Sequence, residues 1–335
     1  MNTARQSAAR LIDESLGFLF PAALRAAAAV RVADHMADDD ESVERLAEAT
    51  GTDARNLGRV LRLLATRGVV EETATGRFRL TTTGQALRSD APHSARAAIL
   101  MLTDATMWRP AGEMHRCLTD GGSAFTDIFE TSFFDYFARD AETAAVFHDG
   151  MAAMSDHENE PIAQAYDFPP TGTVVDVGGG HGGLLLEVLR RQPGLHGVLH
   201  DQTHVLADHR LGDHDDIAGR WSTADGDFFS TVPPGDIYLI KRILHDWNDE
   251  QSAVILRNCR RAMAPGGRIL VIDAVVPPGN RPHQSKTLDL MMSSFVGRER
   301  TEEDFVRLLG EAGLRLRRIV PTSTVLSLVE AVSGD

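Results

Sequence analysis

The hydrophobic positions in the first third of the chain recur at helical spacing. Residues 7–36 carry alanine, leucine and other apolar residues three and four positions apart, which predicts a long helical stretch. Residues 42–51 and 56–67 show the same spacing and predict two shorter helices, each ending at or next to a glycine. Two short runs, 69–72 and 77–80, flank a Thr-Gly turn and predict a hairpin. Helix, helix and hairpin in this order are typical of a winged helix.

After residue 165 the pattern changes to short apolar runs that alternate with amphipathic segments. The apolar runs predict strands at 173–177, 196–200, 236–241, 268–273, 314–320 and 325–332. The amphipathic segments predict helices at about 184–191, 249–263 and 301–311, and Pro265-Gly266-Gly267 predicts a turn. Strands that alternate with helices indicate an α/β domain with a parallel, doubly wound sheet.

Between these two regions lies a segment that is mainly helical in pattern and rich in methionine and aromatic residues. The chain thus divides into a winged-helix domain at 1–100, a helical linker region at 101–165 and an α/β domain at 166–335. Most of the linker's large side chains must pack in a core, but such side chains also suit the walls of a pocket for a flat apolar ligand. We therefore predict substrate contacts from Trp108, Phe147, Met151 and Met154.

Composition and charge argue against two classes of partner, nucleic acids and membranes. The chain has 335 residues, which suggests about two domains, and its 34 basic and 48 acidic residues give a net charge of −14. A surface this acidic repels phosphate backbones and anionic lipids, so we expect neither a nucleic acid nor a membrane as a partner. No early apolar stretch approaches the ~18 residues that a spanning helix needs.

Cysteine usage and the N-terminal residues point to the cell interior. The two cysteines, Cys117 and Cys259, form no CxxC pair, which favours a reducing compartment and no metal site. The N-terminal residues lack a clean apolar block followed by a small-residue cleavage site, so we expect no secretion signal. These features predict a cytoplasmic protein.

The first candidate site is the glycine run 178–183, which leaves a predicted strand and enters a predicted helix. Glycines let a backbone turn sharply and approach a ligand closely, and Asp201, at the end of the next predicted strand, can accept hydrogen bonds from ribose hydroxyls. Dinucleotide loops read G-x-G-x-x-G, whereas Gly178, Gly180 and Gly182 are spaced by two. The alternative without a ligand is a plain tight turn.

A second acidic position, Asp227, lies in the segment Gly226-Asp227-Phe228-Phe229, which is expected to follow a third strand. The Asp227 carboxylate can accept from an adenine amino group, and Phe228 offers a face on which the ring can stack. Together with the glycine loop, this arrangement resembles the class I S-adenosylmethionine-dependent methyltransferases, which have a Rossmann-like fold. The resemblance implies S-adenosylmethionine as cofactor, S-adenosylhomocysteine as product and no metal.

The segment Ile-Lys-Arg-Ile-Leu-His-Asp-Trp-Asn-Asp at 240–249 makes the resemblance closer. It is similar to the small-molecule O-methyltransferase family that includes plant caffeate and flavonoid enzymes and bacterial enzymes that tailor aromatic polyketides. The winged-helix half resembles that family's dimerisation domain, so the likeness covers essentially the whole chain and implies a homodimer. By this resemblance the three spaced glycines surround the methionyl part of the cofactor, and Lys241 lies close to it.

The resemblance also implies a catalytic set. His245 matches the family's general base, and Asp273 and Glu299 match two acidic residues that flank it. A phenol has a pKa near 10 and a histidine about 6.5, so full proton transfer before methylation would be uphill by roughly 5 kcal/mol. A carboxylate on the second ring nitrogen would fix the tautomer and make the histidine more basic.

Further substrate contacts are predicted at Asp246, Met291 and Met292, and the acceptor is expected to be a hydroxyl of an aromatic, polyketide-like secondary metabolite. The sequence departs from the family in two places. Asp201 is followed by Gln202-Thr203-His204, where the family usually has leucine and proline, and the segment before Glu299 is shorter than in plant members.

Three other functions compete with methyl transfer. Four arginines on or beside the second helix of the predicted winged helix favour a DNA-binding regulator: Arg55, Arg59, Arg62 and Arg67. Neighbouring glutamates and the overall charge oppose it. Some relatives have become hydroxylases or decarboxylases, against which the retained His245 and its acidic partners argue. The segment His200–His204 looks like a zinc motif but straddles a strand end, which favours a polar loop.

Overall fold

The computed structural model describes residues 3–36, 39–295 and 297–334. The chain forms two compact units, one of Met1–Trp108 with Phe137–Met154 and the other of Arg109–Tyr136 with Ser155–Asp335.

The first unit begins with helices and a small sheet. Its helices are α1 (Thr3–Ser15), α2 (Leu19–Ala29), α3 (Val43–Thr50), α4 (Ala54–Ala65), α5 (Thr82–Gln85) and α6 (Arg96–Leu102). Its strands are β1 (Glu41–Ser42), β2 (Val70–Ala74) and β3 (Arg77–Leu80), in the antiparallel order β1-β3-β2. Helices α3 and α4 with the β2–β3 hairpin form the predicted winged helix, packed around the buried Leu61, Leu64 and Phe78.

The helical spacing predicted over 7–36 is present in two α-helices separated by a turn at residues 16–18. Pro21 lies in the first turn of α2, where a missing backbone N–H costs nothing, but within one continuous helix it would break the hydrogen-bond ladder.

The middle of the chain is helical, as predicted. Its helices are α7 (Ala105–Gly112), α8 (His115–Asp120), α9 (Ala124–Phe129), α10 (Phe133–Phe137) and α11 (Ala141–Ala165). The division between the two compact units falls inside α11, after Met154.

The second unit is built on a seven-stranded sheet. Its strands are β4 (Gly172–Val177), β5 (Leu195–Asp201), β6 (Trp221–Asp225), β7 (Gly235–Lys241), β8 (Met263–Ala274), β9 (Leu314–Pro321) and β10 (Leu326–Ser333). The order is β6-β5-β4-β7-β8-β10-β9, with β10 antiparallel to both of its neighbours. The other helices are α12 (Gly183–Arg191), α13 (Thr203–Leu206), α14 (Asp249–Ala262), α15 (Gln284–Met292) and α16 (Glu302–Glu311).

The sheet is mostly parallel and carries one hydrophobic cluster on each face, so the α/β prediction is confirmed. The predicted turn at 265–267 is wrong, because β8 runs through it from Met263. Gly266 there has φ of +79°, and the register of the β7–β8 pairing shifts nearby. The residues that predicted a turn therefore form an irregularity within the strand.

The parallel strands place their carboxyl ends at one edge of the sheet. The glycine loop follows β4, Asp201 ends β5, Lys241 ends β7 and Asp273 is the penultimate residue of β8. Ligands of doubly wound sheets bind at this edge, so the topology gathers the predicted residues there. Among the described helices, none is long and apolar enough to cross a membrane.

Candidate active site

The glycine loop adopts the strained backbone that its sequence predicts. Gly178, Gly180 and Gly182 have φ of +66°, +57° and +84°, a region that residues with a side chain rarely adopt. The Gly178 N–H donates to the carbonyl of His200 at 2.8 Å, which ties the loop to β5. A Cβ at Gly180 would meet no described atom within 4 Å, so the loop is open for a ligand at this point.

The carboxylate of Asp201 holds this loop in place. Its Oδ2 accepts from the Gly180 N–H at 2.9 Å and its Oδ1 from the Gln202 N–H at 2.7 Å. Each carboxylate oxygen has two acceptor directions, so both oxygens can still accept from a ribose. Asp201 therefore positions the loop as well as presenting acceptors beside it.

Asp227 and Phe228 lie in the loop after β6. The Asp227 carboxylate accepts from the Phe229 N–H at 2.8 Å and is exposed, and the Phe228 carbonyl accepts from Asn258 at 2.8 Å. The Phe228 ring approaches the glycine loop, since its Cε1 lies 3.6 Å from the position of a Cβ at Gly178. The structure thus brings Phe228 together with the glycines.

Lys241 lies in a buried polar cluster that the sequence did not predict. Its Nζ donates to Ser155 Oγ at 2.7 Å and Asn159 Oδ1 at 2.8 Å, and lies 3.3 Å from Glu158 Oε2. The three partners lie on α11, about 80 residues earlier in the chain, with no motif to mark them. Burial lowers the pKa of Lys241 despite the nearby carboxylate.

The next residue, Arg242, is also held by Glu158, which pairs with both basic residues. Its backbone is left-handed at φ +54°, an unusual conformation for a residue with a side chain, and its N–H donates to the Ile272 carbonyl at 3.1 Å. This turn ends β7 and starts the segment that carries His245. Arg242 lies within the motif at 240–249, but the sequence analysis gave it no role.

His245 lies in a short 3-10 turn, Leu244–Asp246, and is 8% exposed. Its Nδ1 lies 3.0 Å from Glu299 Oε1 and its Nε2 lies 3.5 Å from Asp246 Oδ1. A hydrogen bond between Nδ1–H and the carboxylate leaves Nε2 as the ring nitrogen that can accept a proton. The predicted pairing of the histidine with an acidic partner is present for Glu299.

Three carboxylates control the charge of this ring. Burial works against a charged imidazole, but the charge of Asp246 and the hydrogen bond with Glu299 outweigh it and raise the pKa of His245 to about 9. The charge of Asp273 acts in the same direction. His245 is therefore a much stronger base than an ordinary histidine.

Asp273 acts on His245 by charge and not by a hydrogen bond. It is 1% exposed, and neither of its carboxylate oxygens has a hydrogen-bond partner among the described residues. Burial raises the pKa of the Asp273 carboxyl, while the charge of His245 opposes that shift. Unpaired buried oxygens are costly, which is consistent with the catalytic role predicted for Asp273.

Asp176 is another buried carboxyl that the sequence analysis did not assign to the site. It lies on β4 beneath the glycine loop, where a Cβ at Gly179 would come within 2.6 Å of its Oδ2. Burial raises its pKa to about 7, and Oδ2 has no partner among the described residues. Open backbone at Gly180, acceptors on Asp201 and an orphaned carboxyl oxygen fit a polar cofactor bound at this edge.

The predicted substrate residues fall into two groups. Trp108, Phe147, Met151 and Met154 are half-buried in the first unit, where the Phe147 ring stacks on Phe137 with centroids 4.5 Å apart. The others, Asp246, Met291 and Met292, belong to the second unit.

In the second group, the Met292 side chain packs beside Gly297, where a Cβ would lie 2.5 Å from both Met292 Cε and the His245 carbonyl. The structure therefore brings Met292 and Asp246 close to His245. A substrate-binding role for all seven residues stays a prediction. In the parts of the chain that the structure describes, no group of three or more histidine, cysteine or acidic side chains is arranged to hold a metal ion.

Comparison with known families matches both halves of the chain. An O-methyltransferase domain model matches residues 112–315, and an O-methyltransferase dimerisation domain model matches residues 12–90.

Individual relatives match nearly the full length. A phenazine O-methyltransferase of Lysobacter antibioticus is 40% identical over 325 residues, which cover 96% of this chain and 95% of the relative. The crystal structure of a methyltransferase in calicheamicin biosynthesis, in its S-adenosylhomocysteine-bound form, superposes with a TM-score of 0.93. It has 53% sequence identity and covers 99% of each chain.

A third relative was solved with both ligands of its reaction. An O-methyltransferase from neocarzinostatin biosynthesis, in complex with S-adenosylmethionine and 2-hydroxy-5-methyl naphthoic acid, has 32% identity and a TM-score of 0.76 over 93% of this chain and 95% of its own. The predicted family, fold and cofactor agree with these matches. The chain is a member of the O-methyltransferase family, with a methyltransferase domain preceded by that family's dimerisation domain.

Proposed function

We propose that this enzyme methylates a phenolic hydroxyl of an aromatic, polyketide-like secondary metabolite, with His245 as the general base. The observation that carries the proposal is a buried imidazole whose Nδ1 is held by Glu299 and whose pKa is raised to about 9. Above that pKa the ring is neutral, and its Nε2 can take the weakly acidic proton of the acceptor.

The raised pKa changes the energetics of proton transfer. An ordinary histidine would accept a phenol proton at a cost of roughly 5 kcal/mol, because the two pKa values differ by about 3.5 units. With the pKa of His245 at about 9, transfer of the proton from a phenol near 10 to the neutral ring costs about 1.4 kcal/mol. At pH 7 the ring must first lose its own proton, which costs about 2.7 kcal/mol, so the surrounding carboxylates help most near pH 9 and above.

The cofactor supplies a methyl group on a positively charged sulfur, which the phenol oxygen attacks in line. We assign Gly178, Gly180 and Gly182 to the methionyl part and Asp201 to the ribose. Asp227 and Phe228 are assigned to the adenine. Lys241 fixes the end of β7 near the cofactor through its bonds to α11. Most of the rate gain then comes from alignment of the reacting atoms.

Aromatic metabolites are the acceptors that the comparisons favour. One relative named above is a phenazine O-methyltransferase, and two others act in calicheamicin and neocarzinostatin biosynthesis, the latter solved with a naphthoic acid. The residues predicted to contact the substrate are aromatic or flexible and apolar, apart from Asp246, and such side chains suit a flat ring. We therefore place the enzyme in secondary metabolism, such as antibiotic biosynthesis, in the cytoplasm.

A screen with mass-spectrometric detection tests this function. The enzyme is incubated with S-adenosylmethionine and a panel of naphthols, hydroxynaphthoates and hydroxyphenazines. We expect S-adenosylhomocysteine in equal amount to a product heavier by one methyl group. A product heavier by one oxygen, or one that has lost carbon dioxide, would instead favour the hydroxylase or decarboxylase alternative.

We also propose that two copies associate through the N-terminal helices. Large apolar side chains on α1, α2 and the turn between them are exposed in the single chain: Leu11, Ile12, Leu16, Phe18 and Leu19. A contiguous exposed surface of this kind is typical of an interface. Light scattering at micromolar concentration should give a dimer, and Ile12→Glu should weaken it. A monomer at that concentration would contradict this proposal.

A further inference from the structure

The guanidinium of Arg300 occupies the centre of the segment that carries His245. Arg300 is 1% exposed, and its side chain extends into the curve of residues 244–252. Its Nη1 donates to the Leu244 carbonyl at 2.7 Å and its Nη2 to the Trp247 carbonyl at 3.0 Å. Nη2 also reaches Asp249 Oδ1 at 2.9 Å and Ser252 Oγ at 3.1 Å. One side chain therefore fixes the backbone on both sides of His245.

The backbone of the same residue joins this segment to the strand that carries Asp273. The Arg300 carbonyl accepts from the Val276 N–H at 2.9 Å, and the residue forms a parallel bridge with Val275, directly after β8. This contact lies just beyond Asp273, the penultimate residue of β8. Arg300 thus connects two of the three segments that surround the imidazole.

The third segment is the chain immediately before Arg300. Glu299, the hydrogen-bond partner of His245, is its direct neighbour, and the Arg298 N–H donates to the His245 carbonyl at 2.9 Å. Any side chain at Gly297 would collide with that carbonyl, so the two segments lie in close contact. The segment 297–300 therefore contacts the 3-10 turn through three successive residues, Gly297, Arg298 and Glu299.

We propose that Arg300 is a positioning residue for methyl transfer, which sets the orientation of the His245 ring by fixing the turn 244–247 against Glu299 and Asp273. The proposal rests on the base assigned to His245 above. Arg300 touches none of the reacting atoms in this assignment, and acts through the turn and its neighbour.

The chemistry of the side chain explains why an arginine occupies this position. The acceptors are two carbonyls, a carboxylate and a hydroxyl, and Nε, Nη1 and Nη2 of the same guanidinium all donate to them. A guanidinium has five donors in a fixed fork and can satisfy them all, whereas an ammonium has three donors around a single atom. Lysine would keep the positive charge but lose the fork, so Arg300→Lys separates geometry from charge.

The test compares Arg300→Lys with Arg307→Lys in the full-length enzyme. Arg307 also bonds to Asp249, at 3.4 Å, but its side chain is 52% exposed and touches neither carbonyl. Three quantities are measured well below the unfolding temperature: kcat, the dissociation constant for S-adenosylmethionine, and the pKa of His245. The last comes from NMR of 13C-labelled histidine, with the signal assigned by its loss in His245→Gln.

For Arg300→Lys we expect kcat to fall about 10–100-fold, since small misplacements of a catalytic group have effects of this size. Affinity for S-adenosylmethionine should stay within about twofold, because the glycine loop and Asp201 are untouched. The pKa of His245 should fall as the ring moves away from Glu299, with Asp246, Asp273 and Arg242 as the other charged groups beside it. Arg307→Lys should match the wild type in all three.

An Arg300→Lys enzyme that unfolds at a lower temperature but keeps the wild-type kcat and the wild-type His245 pKa would overturn the proposal, since Arg300 would then only stabilise the fold. If that variant does not fold, Ser252→Ala replaces it, because it removes one partner of the same guanidinium. For Ser252→Ala we expect kcat to fall several-fold and the pKa of His245 to fall as well. If neither quantity changes, the proposal is overturned.

The NMR titration also separates this proposal from the one on which it rests. The ring's environment is reported whether or not His245 takes the proton. Full activity of His245→Ala would refute the general-base role, while a shifted His245 pKa in Arg300→Lys would still support the positioning role.

Discussion

Asp273 on β8 and Glu330 on β10 are buried carboxylates on neighbouring strands of the same sheet. In the antiparallel ladder Asp273 pairs with Ser327 and Glu330 with Leu270, so the two lie three positions apart. Side chains alternate along a strand, which places them on opposite faces. Each is at most 1% exposed, and so both carboxylates lose their hydration on folding.

Their surroundings are opposite. Glu330 accepts from Arg317 at 2.8 Å and from Arg318 at 2.6 Å, and Arg268 lies 3.6 Å away. Burial works to raise its pKa, but the hydrogen bond from Arg318 and the other basic neighbours outweigh it, so the pKa of Glu330 is lowered. Asp273 has no hydrogen-bond partner among the described residues, and burial raises its pKa.

The difference favours a structural role for one carboxylate and supports the functional role proposed for the other. Glu330 is satisfied and holds the last two strands together, whereas Asp273 is left unsatisfied at the edge where we propose that the reaction takes place. The charge of Asp273 acts on the His245 ring and raises its pKa. Substitutions at the two sites should therefore affect different properties of the enzyme.

The largest effect is expected at the ring on which Asp273 acts. His245→Ala should lower kcat about 10²–10⁴-fold with unchanged cofactor affinity, because general-base help is lost. Since the pKa of His245 is raised to about 9, the wild-type rate should climb to about pH 9 and then level. The variant should instead keep gaining rate at higher pH as the phenol itself ionises.

The measurement for His245 is a pH–rate profile at saturating cofactor. His245→Gln is the matched variant, since it keeps a hydrogen-bonding group but cannot take a proton, and it should be nearly as slow as alanine. A near-wild-type rate of His245→Ala at pH 7 would mean that alignment alone drives the transfer.

At the structural carboxylate the main loss should be in stability. Glu330→Ala leaves three arginines without their shared partner and should lower the free energy of unfolding by about 2–4 kcal/mol. This lies toward the low end for a broken buried ion pair, because Arg317 and Arg318 are half-exposed. Denaturant unfolding measures this loss of free energy, with Glu330→Gln as the isosteric control. Because the pKa of Glu330 is lowered, its stabilisation is present above the unfolded value near 4.5 and is lost as the pH falls.

Glu330→Ala should also leave kcat unchanged at a temperature where the protein stays folded. If Glu330→Ala loses activity but keeps its stability, the proposed difference between Glu330 and Asp273 is wrong.

A third carboxylate at the same edge, Asp201, has backbone partners and is proposed to bind the cofactor as well. Asp201→Ala should weaken S-adenosylmethionine binding by about 1.5–3 kcal/mol, through loss of charge-assisted hydrogen bonds and of the anchor at Gly180. Titration calorimetry measures it, and Asp201→Asn should lose less because its amide oxygen still accepts. Unchanged affinity in Asp201→Ala would remove this residue from the site.

The smallest effect is expected for Asp273→Asn, and it tests the contrast between Asp273 and Glu330 most directly. Asp273→Asn should raise stability by up to about 1 kcal/mol at pH 8, because it removes an unpaired buried charge. A raised carboxyl pKa means that the folded protein binds the proton more readily than the unfolded chain, so the gain should shrink as the pH falls. We expect kcat to fall only several-fold, since Glu299 still holds the ring. A clear loss of stability would show that Asp273 has a structural role.

The sequence determined the elements and the edge at which the site forms. Alternating apolar runs predicted six of the seven strands of the large sheet by position, and the glycine spacing predicted the loop whose φ values are left-handed. These features are local: hydrophobic period and glycine content act through near neighbours. The predicted turn at 265–267 was wrong for a local reason as well, since β8 continues through it.

Tertiary structure decided which polar groups meet and how strongly they are perturbed. The hydrogen bond between His245 and Glu299 spans 54 residues, the pairing of Lys241 with Asn159 spans 82, and the contact of Arg300 with the Leu244 carbonyl spans 56. No short-range pattern encodes such contacts. The pKa of His245 depends on desolvation and on charges brought together from three segments, so its value exists only once the chain is folded.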